Sequence, residues 1–317
     1  MGHDHGHEHG HGHDHHHHHD VANTSDGRLI LAVAANLALT VAQIVGGVFA
    51  GSLSLIADAL HNLNDAASLV VALVARRIAR KPADPLRTFG YRRAELIGAL
   101  INLTTLIVVG VFLISEAVTR FFDPQPIAGW IVVIVAGVAL AVDVWTAILT
   151  FAMSKGNLNV KAAFLHNVSD AAASVGVMLA GTLILLFQWY WTDLVATLII
   201  SAYILWGGVA MMRSTIRILM DSVPEGVDLH EVVAAMQSVE HVRDVHHLHL
   251  WQLDENHIAL EAHVVIDPLD FAHLEKIKAA LREMLHERFA VEHSTLEIET
   301  PAEAAAENHA TGVVVNH

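Results

Sequence analysis

Six apolar stretches, each approaching or exceeding the roughly 20 residues a helix needs to cross a bilayer, constrain this chain more than any other feature. They run Leu29–Ala50, Leu53–Ala75, Ala94–Val118, Ile127–Met153, Ala162–Phe187 and Leu194–Met212. Only 16% of the 317 residues are charged, where soluble domains carry about 25%. The spacing predicts an all-α, six-helix transmembrane bundle. From Asp221 onward charged and apolar residues alternate as in a soluble domain. A His-rich tail precedes the first stretch, so no cleavable signal peptide is expected.

Basic residues set the expected orientation. Arg76, Arg77, Arg80, Lys81, Arg87, Arg92 and Arg93 fall between stretches two and three. Lys155 and Lys161 fall between four and five, and Arg213 and Arg217 follow six, while the opposite loops offer little beyond Arg120. The positive-inside rule then places both termini in the cytoplasm of a multi-pass inner-membrane protein. A formal charge of −15 argues against a nucleic-acid partner, which asks for a basic footprint. The absence of Cys excludes disulfides and thiolate chemistry. The 25 His point instead to protons or metal.

A repeat carries the chemistry. Stretch two contains Leu60-His61-Asn62-Leu63-Asn64-Asp65-Ala66-Ala67 and stretch five Leu165-His166-Asn167-Val168-Ser169-Asp170-Ala171-Ala172. His and Asp at i and i+4 project from one helical face. Two such faces meeting supply two imidazoles and two carboxylates, a set suited to tetrahedral zinc. Ionisable residues inside spans are expensive and usually functional, although interior polar residues also hold helices together. Bringing His61 and His166 level requires shifting the span ends by a few residues, at about 1.5 Å each. Asp58, one turn before His61, reads as a neighbour of the ligands or part of an entrance. Asp143 is a candidate for the same cavity. Asn36, Gln43 and Asn102 read as interhelical hydrogen-bonders, and Glu95 and Glu116 as solvated carboxylates near span ends.

These paired motifs resemble the cation diffusion facilitators. So do Ser52-Leu53-Ser54-Leu55-Ile56-Ala57-Asp58-Ala59-Leu60-His61 and Phe89-Gly90-Tyr91-Arg92-Arg93-Ala94-Glu95. The likeness covers roughly residues 26–300, and the two-His, two-Asp form is similar to the zinc-transporting branch, which includes bacterial zinc, cobalt and cadmium resistance proteins. The resemblance implies a proton-coupled antiporter, usually a homodimer, that exports Zn2+ through His61, Asp65, His166 and Asp170. Cd2+ or Co2+ is the alternative cargo. Some members carry another metal site between spans two and three; that link holds Asp84 but no His here, so none is expected.

Residues 221–300 read as helix, strand, strand, helix, strand. The expected helices are Leu229–Ser238 and Phe271–Glu287, and the strands Val242–Leu253, Ile258–Asp267 and Ser294–Glu299. Alternation through Ile258, Leu260, Ala262, Val264 and Ile266 predicts one buried face. A small α+β layer with helices on one side of a sheet follows, and it resembles the family's ferredoxin-like, metallochaperone-like domain. Strict alternation puts His247, His249 and Trp251 on one face, and His246, Leu248 and Leu250 on the other. Matched to the family's Leu-His-aliphatic-Trp followed by Ala-His-Val, His246 and His263 resemble cytoplasmic Zn2+ ligands, with His293 and Glu299 as companions; they equally fit ordinary interior positions. Metal there would bridge subunits or stiffen the dimer. His257, His273 and His286 read as surface or interface residues.

Four regions are expected. Residues 1–25 form a disordered cytoplasmic tail, with 11 His in its first 20 residues. Residues 26–220 form the transport domain, 221–300 a cytoplasmic metal-binding and dimerisation domain, and 301–317 a second disordered tail. The run His15–His19 resembles an expression tag, but the preceding mixture of His with Asp, Glu and Gly favours a native metal-gathering tail. No phosphate-cradling Gly-rich motif occurs, so a gradient rather than ATP is the expected drive. No enzymatic activity is expected: an intramembrane metalloprotease would want His-Glu-x-x-His, and His230-Glu231 is followed by Val-Val-Ala. A membrane-bound metal sensor without transport is the competing class.

Overall fold

The structure, a computed structural model, describes residues 37–153, 158–267 and 273–306. Its elements in chain order are α1 (Leu37–Ala50), α2 (Leu53–Ala79), α3 (Ala94–Phe122), α4 (Gly129–Met153), α5 (Leu158–Phe187) and α6 (Trp191–Leu219). They continue as α7 (Leu229–Gln237), β1 (Val242–Gln252), β2 (Ile258–Ile266), α8 (Leu274–Phe289), β3 (Val291–Glu299) and α9 (Pro301–Ala306). Among the described residues, four helices are long and apolar enough to cross a membrane: α3, α4, α5 and α6. α2 has the length but not the composition, because Asp58, His61, Asn62, Asn64, Asp65, Arg76 and Arg77 all lie in it. The described part of α1 is a shorter apolar helix; residues 29–36 of the expected first span, the His-rich tail and residues 307–317 lie outside the described residues.

Two compact units are present, residues 1–62 with 126–189, and residues 63–125 with 190–317. In the first, small residues let helices approach closely. A Cβ on Gly181 of α5 would come within 2.7 Å of Val132 Cγ1 on α4, and one on Gly129 within 2.9 Å of the Gly181 carbonyl. Polar side chains add interhelical hydrogen bonds, which in lipid stand in for bonds to water. Gln43 Nε2 of α1 donates to Asp58 Oδ2 of α2 at 2.6 Å, and Asn62 Nδ2 donates to Gln43 Oε1 at 3.3 Å. Ser174 Oγ of α5 donates to Asp143 Oδ2 of α4 at 2.8 Å.

In the second unit Gly110 of α3 meets Leu205 of α6, and Gly208 of α6 meets Leu106 of α3. α7, β1, β2, α8 and β3 form a three-stranded sheet with helices, in strand order β1-β2-β3. β1 pairs antiparallel with β2, and β2 pairs parallel with β3 through the crossover that contains α8. The alternating residues of β2 do what their spacing predicts: Leu260, Ala262, Val264 and Ile266 are fully buried in a core with Val232, Met236, Ile277, Leu281 and Leu285. As the central strand, β2 also buries Ala259 and Val265 on its other face.

Two local features depart from the sequence reading. First, the ladder between β1 and β2 shifts register between His246 and His249, and His247 takes φ of 50°. A bulge inserts an extra residue and reverses the facing of what precedes it. His246 is therefore opposite His263 and is not on the core face with Leu248 and Leu250, as strict alternation had placed it. Second, Pro301–Ala306 is helical, where a disordered tail was expected to begin. Thr300 and Glu303 form a reciprocal cap, the Thr300 amide donating to Glu303 Oε2 at 2.8 Å and the Glu303 amide to Thr300 Oγ1 at 3.3 Å. That pattern, with Pro at the first helical position, was legible as a capping box.

Candidate metal centres

The repeat on α2 and α5 comes together. His61 Nε2 lies 3.5 Å from Asp170 Oδ1, His166 Nε2 lies 3.6 Å from Asp170 Oδ2, and the two imidazoles are 6.0 Å apart. Asp65 follows one turn after His61 on the same unbroken helix, hence on the same face. One ligand atom from each of His61, His166 and Asp170 lies within 4.8 Å of the others. The levelling that the span limits required is supplied by helix ends: α2 continues to Ala79 and α5 begins at Leu158. Asp170 is buried between the two imidazoles, while His166 is half-exposed. Two neutral imidazoles and two carboxylates form a hard-to-borderline donor set that fits Zn2+.

The other polar residues of the spans find separate places. Asp58 and Asp143 are buried and bonded to Gln43 and Ser174. Asn102 lines a cavity of about 860 Å3 in the second unit, together with Asp65, Ser68, Ser214, Thr215 and Glu95. Glu95 pairs with Arg76 at 3.9 Å and Glu116 with Arg120 at 3.0 Å. Asn36 lies outside the described residues. In the link after α2, Asp84 is part of a turn: the Tyr91 hydroxyl donates to its Oδ2 at 2.7 Å, and the Leu86 and Arg87 amides to its Oδ1 at 2.8 Å each. Those donors, Tyr91 first, hold its carboxyl below the usual range.

A second cluster sits on the sheet. His246, His263 and Glu299 are all buried, and their ligand atoms lie within 4.8 Å of one another. The register creates it: His246 faces His263 across β1 and β2, and Val265 faces Glu299 across β2 and β3. His246 Nε2 is 3.4 Å from Glu299 Oε2, and His263 Nδ1 approaches Glu299 Oε1. The two imidazoles approach the Glu299 oxygens without forming a well-aligned hydrogen bond to either among the described residues, an arrangement that suits a cation held between them. Two neighbours escaped the sequence reading. Glu297 Oε2 lies 3.4 Å from His263 Nε2, and the His247 ring stacks on His263 at 4.6 Å. The i, i+2 relation of Glu297 to Glu299 was a usable signal for the first; the bulge hid the second.

His293 is not brought to this cluster. It faces Ala259 at the far end of the β2–β3 ladder and packs edge-on against Phe89 at 5.6 Å. His257 lies between two carboxylates, its Nδ1 donating to Asp254 at 2.6 Å and its Nε2 lying 3.4 Å from Glu292. His273 stacks against His241 at 5.5 Å.

Comparison with known proteins places the chain among metal-transport families. Residues 29–220 match the family described as the cation efflux transmembrane domain, and residues 224–301 match the cation efflux protein cytoplasmic domain. A cadmium, cobalt and zinc/H(+)-K(+) antiporter of Bacillus subtilis (strain 168) is 34% identical over 264 residues, covering 82% of this chain and 84% of the relative. The metal cation efflux system protein CzcD of Cupriavidus metallidurans is 35% identical over 87% of this chain and 88% of its own. The zinc transporter ZitB of Escherichia coli (strain K12) is 30% identical over 86% and 87%.

Proposed function

The chain belongs to the cation efflux family, and on that premise we propose that it is an antiporter moving Zn2+ out of the cytoplasm in exchange for H+. His61, Asp65, His166 and Asp170 hold the ion in transit. The observation that carries this reading is the convergence of His61, His166 and Asp170 from two separate helices with the repeated spacing. The relatives' names add zinc, cadmium and cobalt as cargo for those proteins, so Cd2+ and Co2+ are the competing substrates here.

The chemistry gives the exchange. Zinc binds neutral imidazole and ionised carboxylate, so binding expels protons and protonation expels metal. An unperturbed imidazole titrates near about pH 6.5, within range of cellular gradients. The site then needs to face one side at a time, as in alternating access. In this reading α1 to α6 are six spans, both termini are cytoplasmic, and the chain works as a homodimer in the inner membrane. Residues 221–300 form the ferredoxin-like cytoplasmic domain, where His246, His263 and Glu299 would hold a Zn2+ that cross-links the three strands.

Zinc flux into liposomes under an imposed pH gradient tests the proposal, comparing wild type with the Asp65→Ala, Asp170→Ala double variant. Gradient-driven flux in the wild type and its loss in the variant is the expected outcome. Folded, correctly oriented wild type that binds zinc yet moves no zinc, cadmium or cobalt would transfer the assignment to a sensor.

A further inference from the structure

Two buried carboxylates in the first unit stand outside the four-residue set. Asp58 is 1% exposed and Asp143 7% exposed. Both lie towards one end of the site. His166, Asp170 and Ser174 follow one another at four-residue intervals on α5, one face rising about 6 Å per step. Ser174 holds Asp143, so α4 presents its carboxylate one turn beyond Asp170. On α2, Asp58 precedes His61 by one turn. The Ala128 amide bonds the Ala50 carbonyl at 2.9 Å, and Gly129 abuts Gly181. The starts of α2 and α4 and the later half of α5 therefore share one end of the unit, and Asp58 and Asp143 lie on that side of His61 and Asp170.

The charges that act on the pair through space are those of Asp143, His61 and Asp170 on Asp58, and of Asp170 and His166 on Asp143; described α1 contributes Gln43 and no titratable group. Among the described residues each carboxylate accepts one side-chain hydrogen bond, from Gln43 or Ser174, far less than an ionised carboxylate needs when removed from water. A bound divalent ion is balanced by Asp65 and Asp170. When it leaves, those two negative charges remain, and a nearby carboxylate binds a proton more tightly.

We propose that Asp58 and Asp143 are proton-holding residues of the exchange. As the ion leaves, a proton from water forms an O–H bond at each carboxylate; as the next ion binds, that bond breaks and the proton returns to water. The inference rests on the antiporter reading and adds to it the groups that raise the proton count beyond the ligands themselves. In the proposed orientation their end of the site is the outer one, where protons are loaded.

The test uses the full chain in detergent and counts protons released per zinc bound, by calorimetry in buffers of different ionisation enthalpy across the pH range. Asp58→Asn and Asp143→Asn are expected to bind zinc while releasing about one proton fewer each at the pH where the replaced group titrates. Asp143→Glu restores the count, and Ser174→Ala, which keeps the carboxylate, leaves most of it. Wild-type count and pH profile in both Asn variants would overturn the proposal. Should the Asn variants not fold, wild type and Asp143→Glu are compared by infrared difference spectroscopy on zinc addition. A shift in the protonated-carboxyl band that zinc removes supports the assignment, and identical spectra overturn it. An unchanged number of zinc ions bound in Asp65→Ala and Asp170→Ala, beyond those held by the cytoplasmic cluster and the His-rich tail, would sink the four-ligand reading instead, a separate outcome.

Discussion

Replacing Glu299 with Gln keeps the side chain's shape and removes the charge that His246 and His263 converge on. If the three residues hold zinc, the domain's stability should depend on free metal through mass action. At free zinc 100 times the dissociation constant, binding adds about 2.7 kcal/mol, which slows hydrogen exchange through global opening by roughly 100-fold. Losing a directly coordinating carboxylate costs at least the upper end, about 100-fold in affinity, of what removal of supporting partners costs. The same free zinc then equals the variant's dissociation constant, and the gain falls to about 0.4 kcal/mol, roughly two-fold in exchange. The amides to follow are those of Leu260, Ala262 and Val264, in the central strand of the sheet and the centre of its core. Exchange is measured on the full chain with and without zinc, each against a chelator baseline. Equal zinc protection in wild type and Glu299→Gln would refute the three-residue centre, and so would no protection in either.

Two further outcomes follow from packing and charge. Gly181→Ala places a methyl within 2.7 Å of Val132 Cγ1, a branched side chain with its own Cβ at 2.9 Å. It should destabilise the α4–α5 pair by about 1–3 kcal/mol, visible as a lower melting temperature of the detergent-solubilised chain, with recovery in the Gly181→Ala, Val132→Ala double variant; an unchanged melt counts against so close an approach. At the β1–β2 turn, burial works to raise the Asp254 carboxyl, but hydrogen bonds from the His257 ring and the Asn256 and His257 amides outweigh it and hold it below its ordinary value. A depressed carboxyl stabilises the fold above its unfolded pKa of about 3.9 and loses that contribution as pH falls through the folded value. Exchange of the Asn256 and His257 amides should therefore accelerate below about pH 4, and Asp254→Asn should abolish that dependence; an identical acid profile in the variant would rule the carboxyl out.

The cytoplasmic elements were legible to within a few residues at their ends, β3 starting at Val291 rather than Ser294, because β2 alternates cleanly between Leu260, Ala262, Val264 and Ile266 and both helices carry apolar faces. Chain ends were less so: the capping box at Thr300 and Glu303 is a four-residue signal that composition obscured. The apolar runs read as spans, but α2 shows how that signal weakens, since the side chains proposed to hold the ion are among those that make it polar.

For the candidate site, the sequence by itself picked out the residues proposed to carry the chemistry. An i, i+4 spacing fixes His61 with Asp65 and His166 with Asp170 on their own helical faces, since those relations are local and follow from the helical repeat. Which faces meet is not local. Only the tertiary structure set Asp170 between His61 and His166, tied Asp143 to Ser174 and Asp58 to Gln43, and, through a single bulge at His247, turned His246 from the core towards His263 and Glu299. Each of these depends on packing between segments far apart in the chain. A one-residue change in strand register reverses a side chain's face while leaving the pattern of residue types unaltered.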